Sequence, residues 1–331
     1  MIPETGGVWW HRAVVLFLAI GVAMLLVGPG TVGWPGASAA KLQDGTDEKA
    51  ISCSLAAEAS EETESAEAPV AVASPVAAAS PAAGQPADAA TATAIETVVR
   101  ALAACLSEGQ SETVAELVTE RYLGAVYGGG GRLPREDYLA LAPELPVIPV
   151  TVSAVTDVRI ETDRRATADV VTVVGHQLVH GRWTFVYAVT GAGGGRWQVD
   201  DVVALPVETP AGAARVAVDL TEYEFTLSRG RVARTNVVLA GTNTGREDHE
   251  ILVLRLDRDV STDALLREPG PGLPEGVRFI GQVTVPPGGQ ADLVLVDLPP
   301  GNYTLVCLLP TEDGTPHLAL GMTARLRVTA P

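Results

Sequence analysis

Three regimes of hydrophobic patterning succeed one another along the chain. From residue 94, Ile95, Val98, Val99, Leu102, Cys105 and Leu106 recur at helical spacing and define one apolar face. Residues 107–110 end that helix, and Ser111 with Glu112 opens a second that runs through Val114, Leu117 and Tyr122. Glycines at 128–131 break it, and residues 134–141 form a short third helix. After Pro149 the alternation shortens to period two over residues 150–160, 166–174, 183–190 and 197–205. The joins are polar or Gly-rich, which predicts antiparallel hairpins. Beyond a linker at 206–213, period-two or β-branched runs cover 216–220, 224–227, 236–240, 250–256, 282–285, 292–296, 303–308 and 324–328. That density of short strands predicts a β-sandwich. The stretch 257–281 is too long for a turn and carries a helical turn at 262–267.

Nothing before residue 93 has a core-forming period. Trp9-Trp10-His11-Arg12 leads into an apolar run of 16 residues, 13–28, and then to the small-x-small sequence Ala37-Ser38-Ala39. This predicts a secretory signal peptide over 1–40. A retained membrane tether through 13–28 is the alternative, although a spanning helix needs about 20 apolar residues. Either way the remainder is expected outside the cytoplasm, secreted or in the cell envelope. Residues 41–92 are acidic and then Ala/Pro-rich, and predict a solvated tether.

Charge removes one class of function. Lys+Arg number 23 against 40 Asp+Glu, net −17, and only Lys41 and Lys49 are lysines. Without a basic patch there is no nucleic-acid partner.

Helices followed by a meander of long strands make residues 93–206 an α+β unit. Its closing Gly195-Arg196-Trp197-Gln198-Val199-Asp200-Asp201 resembles the last-strand signature of the nuclear transport factor 2-like superfamily, which implies a helical cone packed in a curved antiparallel sheet. That superfamily includes enzymes, ligand-binding pockets and dimerisation modules, so a small ligand in this unit is one expectation. His176 and His180 are four apart but fall on strands, and read as surface histidines. Asp200 and Asp201 read as capping or turn carboxylates, with an acid–base pair as the alternative. Cys105 reads as a small buried hydrophobe; a disulfide to Cys53 is the alternative in an oxidising compartment.

From residue 213 to 331 the metal-capable side chains are His249, Cys307, His317 and Met322. Two imidazoles, a thiolate and a thioether are the ligand set of a blue copper site. Three follow the order Cys-x9-His-x4-Met, and Met322 is the one methionine beyond the predicted signal. The motifs Asn243…His249-Glu250, Pro299-Pro-Gly-Asn-Tyr303-Thr-Leu-Val-Cys307 and Gly314-Thr-Pro-His317-Leu-Ala-Leu-Gly321-Met322 resemble those of cupredoxins of the plastocyanin/azurin type. The resemblance implies an all-β Greek-key sandwich holding one type 1 copper, with His249, Cys307 and His317 as strong ligands and Met322 axial. The loop between Cys307 and His317 is longer than in small plastocyanins and azurins; copper nitrite reductases have one of similar length. Asn243 is expected to tie the His249 loop to the Cys307 loop. His317 lies among Leu308, Leu309, Pro310, Pro316, Leu318 and Leu320, which predicts an apolar patch where redox partners dock. Four protein ligands leave no open position for substrate, so a one-electron carrier rather than an enzyme is expected. Copper as cargo, in storage, delivery or sensing, is the alternative.

Overall fold

The computed structural model describes Cys53 and residues 84–189, 194–267 and 272–330. The predicted signal lies outside the described residues, as does the tether up to 83 apart from Cys53. Helices come first and strands dominate the rest. The helices are α1 (Ala89–Glu108), α2 (Ser111–Leu117), α3 (Glu120–Tyr127) and α4 (Arg135–Leu141). They pack on strands β2 (Val150–Thr162), β3 (Arg165–Val174), β4 (Gln177–Val189) and β5 (Gly195–Ala204), which pair antiparallel in sequence order. Ile95, Val99, Leu102 and Cys105 of α1 are buried against Ala166, Phe185 and Val199 of the sheet.

Local chemistry sets the helix ends. Asp88 caps α1 by accepting from the Thr91 N–H at 2.7 Å. Gly109 ends it with φ of 69°, a left-handed conformation that suits glycine. The tether therefore stops earlier than expected: Gln85–Pro86 (β1) pairs with Ile160 and Arg159, and α1 starts at Ala89. The second expected helix is two. Val118 leaves helical geometry to bridge Val199, and the Thr119 N–H donates to the Val199 carbonyl at 2.9 Å. Thr119 then caps α3, accepting from the Tyr122 N–H and donating to Asp200 at 2.8 Å. Apolar period alone does not register a strand that intercepts a helix.

Cys105 is disulfide-bonded to Cys53, so the simpler reading of it as a lone hydrophobe gives way. The bond ties α1 to a residue 52 positions upstream.

The C-terminal strands form two facing layers. In one, β12 (Gln290–Leu295), β9 (Val237–Asn243), β6 (Ala214–Thr221) and β7 (Glu224–Leu227) pair in that order. The other is β11 (Val277–Val285), β10 (His249–Leu256), β13 (Gly301–Val306), β14 (Thr323–Val328) and β8 (Arg231–Val232). Alternate residues Val216, Val218 and Leu220 of β6 meet Ile251 and Val253 of β10 and Leu305 of β13 in one core. The opposite face of β10 is also covered. Leu252 and Leu254 pack with Leu318, with Phe279 of β11, and with Val260 and Leu265 of the segment that follows β10. Burial on both faces is why β10 reads as an unbroken apolar run.

The two sheets' neighbours meet at one turn. Gly175 and His176 connect β3 to β4, and the His176 N–H donates to Ile280 while its carbonyl accepts from Val296. The His176 ring lies 3.0 Å from the Val296 carbonyl, and Gln177 accepts from the Gln282 N–H at 2.9 Å. A single pair, Leu295 opposite Gln177, joins β12 to β4. His176 is thus a half-buried linking residue rather than a surface one; His180 bonds the Pro206 carbonyl at 2.9 Å.

Breaking the Cys53–Cys105 bond frees a long loop in the unfolded chain. Cys105→Ser should lower stability by about 2–4 kcal/mol in denaturant unfolding, an effect that reducing agent reproduces in the natural protein.

Candidate metal centre

Three ends of the sandwich deliver the donors. His249 is the first residue of β10 and pairs with Val285. Cys307 follows directly on β13; its N–H donates to Met322 at 3.3 Å and its carbonyl accepts from Leu318 at 2.8 Å. His317 opens a 3-10 turn, His317–Leu320, and its N–H donates to Leu309 at 3.0 Å. Gly321, at φ of 102°, ends that turn and redirects the chain so that the Met322 N–H reaches the His317 carbonyl at 3.1 Å. The extra length between Cys307 and His317 goes into a closed turn. The Thr311 N–H donates to Thr315 at 2.9 Å, Asp313 caps the turn by accepting from the Thr315 N–H, and Pro310 bridges Pro316. The long loop therefore returns His317 to Cys307.

His249, Cys307, His317 and Met322 are all at most 1% exposed. The Nδ1 atoms of His249 and His317 stand 3.1 Å apart, and Cys307 Sγ is 3.3 Å from His317 Nδ1. All three donor atoms lie within 4.8 Å of one another. Ligands about 2.0–2.3 Å from a common ion at tetrahedral or trigonal angles fall about 3.3–4.0 Å from each other, close to these separations. The donor set and its spacing fit a soft transition-metal ion. His249 Nε2, on the side of the ring away from the cluster, is buried with no hydrogen-bond partner.

Electrostatics favour neutral ligands. Burial pushes both imidazoles below the ordinary histidine range, and His317 lowers His249 further. Burial, reinforced by Glu250, raises the Cys307 thiol well above its ordinary value. A metal must therefore displace a proton from Cys307 on entry. The sulfur accepts from the Glu250 N–H at 3.4 Å.

Two groups emerge to which the sequence assigned no role. Glu250 is 1% exposed, and its carboxyl accepts from the Leu308 N–H at 2.7 Å. It ties the His249 strand to the Cys307 loop, the part assigned to Asn243. Asn243 does brace the His249 loop, donating to Glu247 and to Val285 at 2.8 Å each, but it reaches the β11 end instead of the Cys307 loop. The sequence signal for Glu250 was an acid inside the apolar run of a central strand. The second group is Glu247, whose Oε2 lies 3.0 Å from His317 Nε2. With Tyr223, whose ring centre is 4.9 Å from that of His317, it covers the imidazole. His317 itself is 1% exposed, and a shallow cleft beside its ring is lined by Tyr223, Leu320, Glu247, Glu312 and Asp313. His176, His180, Asp200 and Asp201 stand apart from this cluster, and Asp201 pairs with Arg121.

No known family profile matches the chain, and no curated protein matches it. Among solved structures it is similar to a dithionite-reduced auracyanin from the photosynthetic bacterium Roseiflexus castenholzii, at 19% identity over 36% of this chain and 99% of that one, TM-score 0.26. Auracyanin B aligns at 22% identity over 38% and 93%, TM-score 0.27. Auracyanin A, a "blue" copper protein from Chloroflexus aurantiacus, aligns at 14% identity over 35% and 100%, TM-score 0.25.

Burial lifts the Glu250 carboxyl to about 7 from an ordinary 4.5. A carboxyl raised on folding stabilises the metal-free fold fully below its unfolded pKa, and that contribution is lost as pH rises through about 7. Between pH 5 and 8 the metal-free natural protein should lose about 2–3 kcal/mol relative to Glu250→Gln, a difference that cancels the opposite contribution of the two histidines and is read by denaturant unfolding of both at each pH.

Proposed function

We propose that the chain is an extracytoplasmic copper protein that carries single electrons between redox partners of the cell envelope. The observation that carries this reading is the buried convergence of two imidazole nitrogens and a thiol sulfur at 3.1 and 3.3 Å. His249, Cys307 and His317 would hold one ion, with Met322 as the axial fourth. Copper bound there supplies a one-electron couple between Cu(I) and Cu(II). The protein's part is to keep four donors in place in both states. With all four donors on the ion no coordination position would be left for substrate, which supports a carrier rather than an enzyme. The Cys53–Cys105 disulfide supports an oxidising compartment. The surface above His317 is acidic around Tyr223 and Leu320, and suits a partner with a basic face. Use of copper as cargo would show instead as ready transfer of Cu(I) to a chelator.

Cys307→Ser should abolish the thiolate-to-copper absorption, while Met322→Leu should keep one copper and raise the potential. Replacing His176 and His180 together with alanine should leave one copper per chain, by elemental analysis.

A cavity favours a second reading, in which the helical unit binds a small molecule. About 700 Å³ lies open between α2, α3, α4 and the sheet, faced by Tyr122, Tyr127, Tyr138 and Trp183. Its charged lining residues are Glu112 and Asp201, with no cation among them. Such walls suit an uncharged, ring-bearing molecule and disfavour an anion. On this reading 2-naphthol binds, 2-naphthoate does not, and Ala125→Trp, which fills the space, weakens 2-naphthol at least tenfold in calorimetry.

A further inference from the structure

Glu247 is held from three sides. Glu222 accepts from the N–H groups of Arg246 and Glu247, the second at 3.2 Å. Asn243 donates to the Glu247 carbonyl at 2.8 Å, and the Tyr223 hydroxyl donates to Oε1 at 3.4 Å. With the backbone and one oxygen fixed, Oε2 is left 3.0 Å from His317 Nε2, an electrostatic contact between two atoms that are shut off from solvent and have no hydrogen-bond partner.

We propose that Glu247 is a positioning residue that holds the ring proton of His317 on Nε2, so that Nδ1 presents its lone pair to the metal. This rests on the copper reading above and names what tunes that site. The neighbours of Nδ1 agree with the assignment. His249 Nδ1 at 3.1 Å and Cys307 Sγ at 3.3 Å are both groups that can carry a proton toward it. An unprotonated His317 Nδ1 accepts from both, whereas a protonated one would oppose them. His249 has no such orienting group, because no carboxylate stands against its buried Nε2, whereas Glu247 stands 3.0 Å from that of His317. Of the two imidazoles, His317 is the one preset as a ligand before metal arrives.

The same contact biases the oxidation state. A carboxylate against the far side of a ligand imidazole strengthens that ligand and stabilises the higher metal charge. Glu247 therefore favours Cu(II) and lowers the potential. Gln at this position keeps the shape and an acceptor oxygen but not the charge; Leu removes both.

The test uses the full chain in two states. In the metal-free protein, imidazole 15N NMR reads the tautomer of His317. The natural protein and Glu247→Gln should show the proton on Nε2, and Glu247→Leu a mixture of tautomers. In the copper-loaded protein, Glu247→Gln should raise the potential, each tenfold loss of preference for Cu(II) over Cu(I) appearing as 59 mV. Glu247→Leu should bind Cu(II) about 10–100-fold more weakly. Natural tautomer, potential and affinity in both variants would overturn the proposal. Absence of thiolate-to-copper absorption in the natural protein would instead overturn the copper reading, and the metal-free NMR would still decide the tautomer.

Discussion

Everything at the site depends on the backbone clamp that folds residues 307–322 back on their own strand. The Leu318 N–H bonds the Cys307 carbonyl, the His317 N–H bonds Leu309, and the Cys307 N–H bonds Met322. These bonds bring three metal-capable side chains to one buried point although the loop between the first two is nine residues long. Without them a buried thiol and imidazole would each lose a partner in a medium where unpaired polar groups are costly. With them, the cluster is satisfied only by its own members or by an ion.

The rest of the fold serves to keep that point dry and rigid. Strand β10 is apolar on both faces because the sandwich core covers one and Leu318, Phe279, Val260 and Leu265 cover the other. His249 stands at its head, so the donor is buried by the same packing that stabilises the strand. Glu250, next along, converts a costly buried carboxyl into a strut between the His249 strand and the Cys307 loop. The joining turn at His176 brings the helical unit's sheet against the edge of this assembly.

The sequence displayed what is periodic or compositional and hid what is made by distant contact. Period-two runs located most long strands of the sandwich to within a few residues, but β11 begins at Val277, five residues inside the stretch expected as a connection; the order of Cys307, His317 and Met322 picked out the loop that the structure closes. The split between α2 and α3 was hidden because Val199, some 80 residues on, causes it. The roles of His176 and Asn243 depend on Val296 and Val285, which no local pattern brings near. Cys53 lies in a stretch with no hydrophobic period, so only the fold of α1 against it reveals the bond. Glu247 and Glu250 are ordinary acids in sequence, and their meaning comes from the histidine and the thiol that the topology sets beside them.

The central claim is that His249, Cys307 and His317 hold one copper ion through a thiolate bond. The most direct measurement is the visible and EPR spectrum of the purified full chain with one equivalent of Cu(II). Intense thiolate-to-copper colour with a type 1 EPR signal, saturating at one copper per chain, is the predicted result. A colourless sample with an ordinary tetragonal Cu(II) signal, or no bound copper, would contradict it.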